Sequence, residues 1–219
     1  MTSVKFIGIT KPDIEGITNT EEFIAYVARV SNPSNQANTE TSERLLKYLI
    51  RNKHWSPFEM ASMVVEINTT RDIARQILRH RSFSFQEFSQ RYAKASDLGF
   101  EVREARLQDI KNRQASIEVN NRELEFEWYD RQEDVLYQAK EAYQWALEQG
   151  IAKEQARAVL PEGLTRSRMY MSGTIRSWIH YCDIRTDIST QKEHRLIAEE
   201  CRKILVEQLP SLKDDIKQQ

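Results

Sequence analysis

The sequence predicts an α/β protein, a single domain over residues 1–219 with a loose tail at about 211–219. Three observations support that class. Strand-like runs occupy residues 4–9, 61–68, 100–107 and 164–171, most of them alternating apolar with polar residues. Runs with apolar residues three and four apart, the period of an amphipathic helix, stand between them, the longest over about 121–149. No internal repeat, low-complexity segment or linker interrupts the chain.

Residues 4–9 form the first strand, stopped by Pro12 and Gly16. Residues 21–30 are helical, with Phe23, Ile24, Val27 and Val30 on one side, and a loop at 31–35 follows. A second helix over about 42–52 turns Leu45, Leu46, Leu49 and Ile50 inward. Pro57 forces a turn in His54-Trp55-Ser56-Pro57-Phe58-Glu59, where His54 stands as a helix-end histidine and Ser56 as a turn residue. Ala61, Met63, Val65 and Ile67 share one face of a strand, after which Thr69 or Thr70 caps a short helix ending near Arg79 or His80. Residues 100–107 read as an exposed or edge strand. The long helix buries a stripe of Trp128, Tyr129, Val135, Leu136, Ala139, Ala142, Tyr143, Ala146 and Leu147, as core or subunit-interface packing, and Gly150 stops it. A helix over 152–160 ends at Pro161 and carries Arg157 where the helix dipole alone would favour a cation. After the strand at 164–171, Gly173 opens a helix reaching about Ile184, with Ile175, Trp178, Ile179 and Cys182 inward. Thr190 and Glu193 have capping-box spacing at the start of a last helix that buries Ile197, Cys201, Ile204 and Leu205 and ends at Pro210.

Composition narrows the function. Charged residues are 30% of the chain but the net charge is −1, so no global field draws nucleic acid or a membrane surface. The first residues lack a signal peptide's apolar core and no apolar stretch is long enough to span a bilayer, so the expectation is a soluble, cytoplasmic protein. Cys182 and Cys201 are too few for a disulfide framework and fall in helical segments as buried small hydrophobes. Cysteines and histidines show no zinc spacing, and no metal is expected.

The segment from Arg79 to Tyr92 interleaves cationic, hydroxyl and aromatic residues with the carboxylate of Glu87. Guanidinium forks suit phosphates and the carbonyl edges of heterocycles, and aromatic rings can wall a flat ligand. The chemistry is that of a pocket for a phosphorylated, ring-bearing molecule. Two plainer readings stand beside it: Arg71, Arg75 and Arg79 recur every four residues, as on a solvated helix face, and Phe83, Phe85 and Phe88 suit a core. A basic, aromatic nucleic-acid surface over residues 71–92 is the alternative function. The six glycines form neither a dinucleotide fingerprint nor a phosphate loop, so side chains must hold any nucleotide.

Arg79-His80-Arg81, with Ser84, Glu87, Ser89, Arg91 and Tyr92, resembles the signature R-H-R-x-x-S-x-N-E-x-S-x-R-Y of the flavin-dependent thymidylate synthases (ThyX), with Gln86 in place of the usual Asn. The 54–59 turn resembles that family's H-x-S/T-P-F-E element, and Ala156-Arg157-Ala158-Val159-Leu160-Pro161 its A-R-x-x-L-P helix end. The segment from Gly173 to Arg185 is similar to its downstream helix, with Thr174 where Asn is common.

The resemblance implies an α/β fold with a largely antiparallel sheet packed by helices, and a homotetramer with active sites where subunits meet. It implies reductive methylation of dUMP to dTMP, with methylenetetrahydrofolate as carbon donor and FAD, reduced by NADPH, as hydride source. It places Gln76, Arg79, Glu87, Ser89, Arg91, Arg157 and Arg185 on dUMP. Ser56, Arg79, His80, Arg81, Glu87, Thr174, Arg176 and His180 fall on FAD, with Glu59 as a further contact. Arg185, Ser89 and His54 fall among the catalytic positions, Arg185 polarising the uracil ring so that its C5 becomes nucleophilic, although spacing alone would make it a helix-end cap. No local base stands ready to activate Ser89, so Ser89 is expected to position substrate, without a covalent adduct.

Overall fold

A computed structural model describes residues 2–213. Strand β1 (Ser3–Ile9) is followed by helices α1 (Thr20–Ala28) and α2 (Ser42–Arg51), then β2 (Ser62–Thr70), α3 (Arg71–Ile77) and β3 (Phe83–Glu87). A short ribbon, β4 (Arg106–Gln108) and β5 (Ser116–Glu118), precedes the long α4 (Arg122–Glu148). The chain closes with α5 (Lys153–Ala156), β6 (Arg166–Thr174), α6 (Ile175–Arg185) and α7 (Lys192–Gln208). The main sheet runs β1-β2-β6-β3, antiparallel throughout, as expected for the class.

Alternation makes the sheet one-sided. Met63, Val65 and Ile67 on β2 and Met169 and Met171 on β6 are wholly buried, facing Trp178, Tyr181 and Cys182 of α6 and Ile197, Ala198 and Cys201 of α7. Each such apolar side chain contributes roughly 1.5–3 kcal/mol by leaving water. The Trp178 indole N–H donates to the Met63 carbonyl at 3.0 Å, so its one polar atom is satisfied in the core. On the opposite face Tyr170 donates to Glu66 at 2.8 Å across the β2–β6 pair. A second, smaller cluster joins Tyr143 and Ala146 of α4 to Ala95, Ala156 and Leu160. The Tyr143 hydroxyl accepts the Ala95 N–H at 3.2 Å and ties down the segment after the signature. Among the described residues no helix is long and apolar enough to cross a membrane.

Several expectations need correcting. Residues 100–107 do not form one strand: Phe100 makes a single bridge to Thr165, and only Arg106–Gln108 pairs, with the ribbon partner β5. Residues 83–87, whose spacing gave no strand, form β3, and Phe83 belongs to the core as its plainer reading had it, packing on Trp178 with ring centroids 4.8 Å apart. Gly173 lies inside β6, and the cap of α6 is Thr174, whose hydroxyl accepts the Ser177 N–H at 3.2 Å. The Thr190–Glu193 box does not form: Gln191 is the cap, and the Glu193 carboxylate is taken by Arg103 at 3.2 Å and by Arg106. Thr70 caps α3 in position only, its hydroxyl donating to Asp72 at 2.6 Å. On α4, Trp128, Tyr129, Val135 and Ala142 are exposed, and Gln132 replaces them in the buried stripe with Leu136, Ala139, Tyr143 and Ala146. Ser211 and Leu212 are buried, the former held by Glu21, so the tail is docked at its start; residues 214–219 lie outside the described residues.

Candidate active site

The functional side chains collect at the two ends of β3. At its start, Ser82 borders a cavity of about 440 Å³ walled by Trp55, Glu59, Arg176, Ser177 and His180. Pro57 sets the tight turn Ser56–Glu59, and buried Phe58 pins it to the core, which aims Glu59 at the N-terminus of α6. There Glu59 pairs with Arg176. Ser177 donates to the Ser82 carbonyl at 3.4 Å, joining the helix to the strand entry. Of the residues expected on the cofactor, Glu59, Arg176 and His180 line the cavity, Ser56 opens the turn that carries Glu59, and Thr174 caps the helix.

At the end of α6, the helix that walls this cavity, the Arg185 Nε–H donates to His80 Nε2 at 2.9 Å. The imidazole must therefore be neutral with its proton on Nδ1. Burial, and then the charges of Arg185 and His180, push the His80 pKa down to about 4. The His80 ring meets Tyr181 edge-on at 5.0 Å, and the Tyr181 hydroxyl lies 3.1 Å from Nε2 of the fully buried His194. Burial first, then Arg185 and His80, lower the His194 pKa to about 3. Two neutral imidazoles thus back one guanidinium, and Arg185 is held by a side chain where spacing alone made it a helix-end cap. His194 and Tyr181 escaped sequence reasoning because both sit on ordinary helical core positions.

At the far end of β3, Arg71, Arg75, Gln90 and Arg157 line a cradle of about 300 Å³ together with Glu154 and Glu162. Glu87 accepts from Ser167 at 2.6 Å, and Arg71 Nη1 lies 3.5 Å from it, within ion-pair range but out of hydrogen-bond alignment. Arg71 Nη1 and Gln90 Nε2 are buried with no hydrogen-bond partner. Buried donors left unpaired cost roughly 1–3 kcal/mol each, which an anionic acceptor in the cradle would recover. By spacing Arg71 is a residue of a solvated helix face and Gln90 falls at an unspecified place in the signature, so the sequence points to neither.

Arg91 reaches Glu154 at 3.2 Å, and the Arg157 Nε–H donates to the Glu154 carbonyl at 3.4 Å. Gln76 donates to Gln191 at 2.7 Å. The Ser89 hydroxyl accepts the Arg91 N–H at 3.4 Å, and among the described residues no base lies within its hydrogen-bond reach. Cys182 is wholly buried, and burial raises its thiol to about 12, which makes it inert. Arg79 and Arg81 are exposed, and neither guanidinium has a partner among the described residues.

Not all predicted residues meet within one chain. The cavity and the cradle share no residue. His54 lies on the surface, where left-handed Lys53 (φ 57°) ends α2 and its own backbone N–H, not its ring, donates to the Leu49 carbonyl at 2.8 Å. Its ring faces Tyr48 edge-on at 6.0 Å.

Known proteins share this architecture and sequence. The profile of the family described as "Thymidylate synthase complementing protein" matches residues 14–211. A "Probable flavin-dependent thymidylate synthase" of Paramecium bursaria Chlorella virus 1 is 51% identical over 210 residues, covering 96% of each chain. A "Flavin-dependent thymidylate synthase" of a Synechocystis species is 49% identical over 213 residues, covering 95% of this chain and 96% of that one. The crystal structure of "a UMP/dUMP methylase PolB" of Streptomyces cacaoi, bound with 5-Br dUMP, superposes with a TM-score of 0.81 at 26% identity, covering 98% of this chain and 93% of that one. With the profile running along nearly the whole chain and half the residues shared with full-length relatives, this protein belongs to the flavin-dependent thymidylate synthase family.

Proposed function

We propose that the protein converts dUMP to dTMP, taking one carbon from methylenetetrahydrofolate and releasing tetrahydrofolate. The observation that carries this reading is the Arg185–His80 bond, which fixes a guanidinium at the end of α6, the helix whose Arg176, His180 and Asp183 wall a cavity of ring-binding size.

The residues fit a flavin. The cavity offers the indole of Trp55 to a flat ring, and Arg176, Ser177 and His180 supply donors for carbonyl and phosphate oxygens. When bound, FAD reduced by NADPH would supply the hydride that completes the methyl group. Ser56, Glu59, Arg79, His80, Arg81, Glu87, Thr174, Arg176 and His180 are the residues assigned to hold it.

The chain's own work is electrostatic. Arg185, fixed by the lone pair of neutral His80, directs its remaining N–H groups at a uracil carbonyl and stabilises the negative charge in the ring that makes C5 nucleophilic. The 5′-phosphate enters the cradle, where Arg71, Gln90 and Arg157 meet it with charge-assisted bonds. Arg91 joins them readily, because its ion pair with Glu154 is half exposed and such pairs hold weakly. Glu87, engaged by Ser167 and Arg71, remains an acceptor for a ligand N–H or O–H. Ser89 positions substrate by hydrogen bonding and forms no covalent adduct with it. A homotetramer unites the parts: exposed Arg79, Arg81 and His54 complete sites shared with neighbouring subunits.

The test is anaerobic turnover of the purified protein with dUMP, methylenetetrahydrofolate and NADPH. dTMP and tetrahydrofolate should form in equal amounts from a yellow, FAD-containing protein. Dihydrofolate as the product, or turnover by colourless protein, would overturn the reading.

A further inference from the structure

Gln191 ends the loop between α6 and α7 and has no role in the machinery described so far. Its amide links two side chains: the Gln76 Nε2–H donates to Gln191 Oε1 at 2.7 Å, and the Gln191 Nε2–H donates to Glu193 Oε2 at 2.9 Å. We propose that Gln191 is a positioning residue for dUMP, presetting the amide of Gln76 for the substrate. The inference rests on the thymidylate synthase reading above and on the assignment of Gln76 to dUMP.

Three observations converge on that role. The first is what Gln191 forgoes. It occupies the N-cap of α7, where a side-chain oxygen ordinarily accepts an N–H from the first turn of its own helix, yet it makes no such bond. Its amide oxygen is directed instead at Gln76, 115 residues earlier in the chain. The second is direction. Oε1 of Glu193 is held by Arg103 at 3.2 Å and by Arg106, and a carboxylate so paired can only accept hydrogen bonds. Gln191 must then turn its NH2 group to Glu193 and its oxygen to Gln76, and Gln76 must answer with an N–H. That leaves Gln76 with a second N–H and with an Oε1 that has no bond among the described residues, both in a set orientation. The third is placement. Gln76 follows Arg75, which lines the anion cradle, and stands four residues before His80, which holds Arg185. The segment from Arg185 to Gln191 is therefore tied at both ends, by His80 and by Gln76, to the stretch of chain between the two half-sites. A free glutamine loses rotamer freedom when it binds a nucleotide, and one already held loses less.

The experiment titrates dUMP into the FAD-loaded protein by calorimetry and measures turnover for the wild type, Gln191→Met, Gln76→Ala and the double variant. Methionine keeps the length of the side chain and removes both of its hydrogen bonds. Gln191→Met should raise the dUMP Kd and KM by roughly threefold to tenfold, the range for one lost hydrogen bond. Its kcat at saturating dUMP should stay within about twofold, because Arg185 keeps its bond to His80. The double variant should bind dUMP no more weakly than Gln76→Ala alone, since Gln191 acts only through Gln76. An unchanged dUMP Kd in either single variant, losses that multiply in the double variant, or a lowered melting temperature with equal loss of dUMP and flavin would each overturn the proposal. A wild type that binds no dUMP would instead bring down the synthase reading, and the role of Gln191 with it.

Discussion

His80 and His194 show how a side chain's surroundings set its use. Both are held neutral, with pKa values near 4 and 3 against an ordinary 6.5. As pH falls below about 6.5 the unfolded chain takes up protons that the folded chain refuses, so these residues drain stability from there down to about pH 4 and pH 3. Thermal melts between pH 7 and pH 4 should show a falling melting temperature, and His194→Gln, which cannot titrate, should flatten the slope. The anion cradle yields a second prediction. Arg91→Ala should weaken dUMP binding by about tenfold or more, as loss of a charge-assisted bond does, while bound flavin measured by absorbance stays constant. Equal loss of both ligands would remove Arg91 from the phosphate. Ser89→Ala should retain measurable turnover; full inactivity with normal dUMP binding would restore it as a nucleophile.

Among elements, β3 decides the geometry of both half-sites, and its seat depends on one glycine. Gly173 on β6 pairs with Phe83, and a Cβ there would come within 2.4 Å of the Phe83 ring. The ring cannot retreat, because Trp178 and Tyr181 hold it at centroid distances of 4.8 and 5.8 Å. Gly173→Ala should therefore destabilise the fold by about 1–3 kcal/mol in urea titrations, the range for overpacking a tight core. It should also reduce flavin retention, since Ser82 at the cavity moves with the strand. Unchanged stability would mean that β3 slides freely.

For the whole molecule, the unburied aromatics of α4 carry the argument. Phe126, Tyr137 and Trp145 are 67%, 62% and 58% exposed, on the side of the helix away from its buried stripe. Large apolar side chains left in water along one long helix suit a second copy of the chain. If the proposed homotetramer forms through this face, Phe126→Arg/Tyr137→Arg should shift it to a smaller species in sedimentation velocity and abolish turnover, since the cavity and the cradle share no residue within one chain. A variant with the wild type's sedimentation coefficient and turnover would take this face out of any subunit contact.

Periodicity alone marked β2, β6 and the buried faces of α6 and α7, because alternation and helical spacing follow from local backbone geometry. The signature from Arg79 to Tyr92 likewise carried the family in its residue order. What the sequence could not disclose depends on partners distant along the chain. β3 exists because β6 and Trp178 lie beside it, Glu193 abandons its cap because Arg103 and Arg106 fold over it, and Arg71 and Gln90 become unsatisfied donors only once burial removes their water. Local spacing therefore determined the inward faces of β2, β6, α6 and α7, though only part of that of α4, while the long-range contacts of the folded chain decided which charges and hydrogen bonds are left for a ligand.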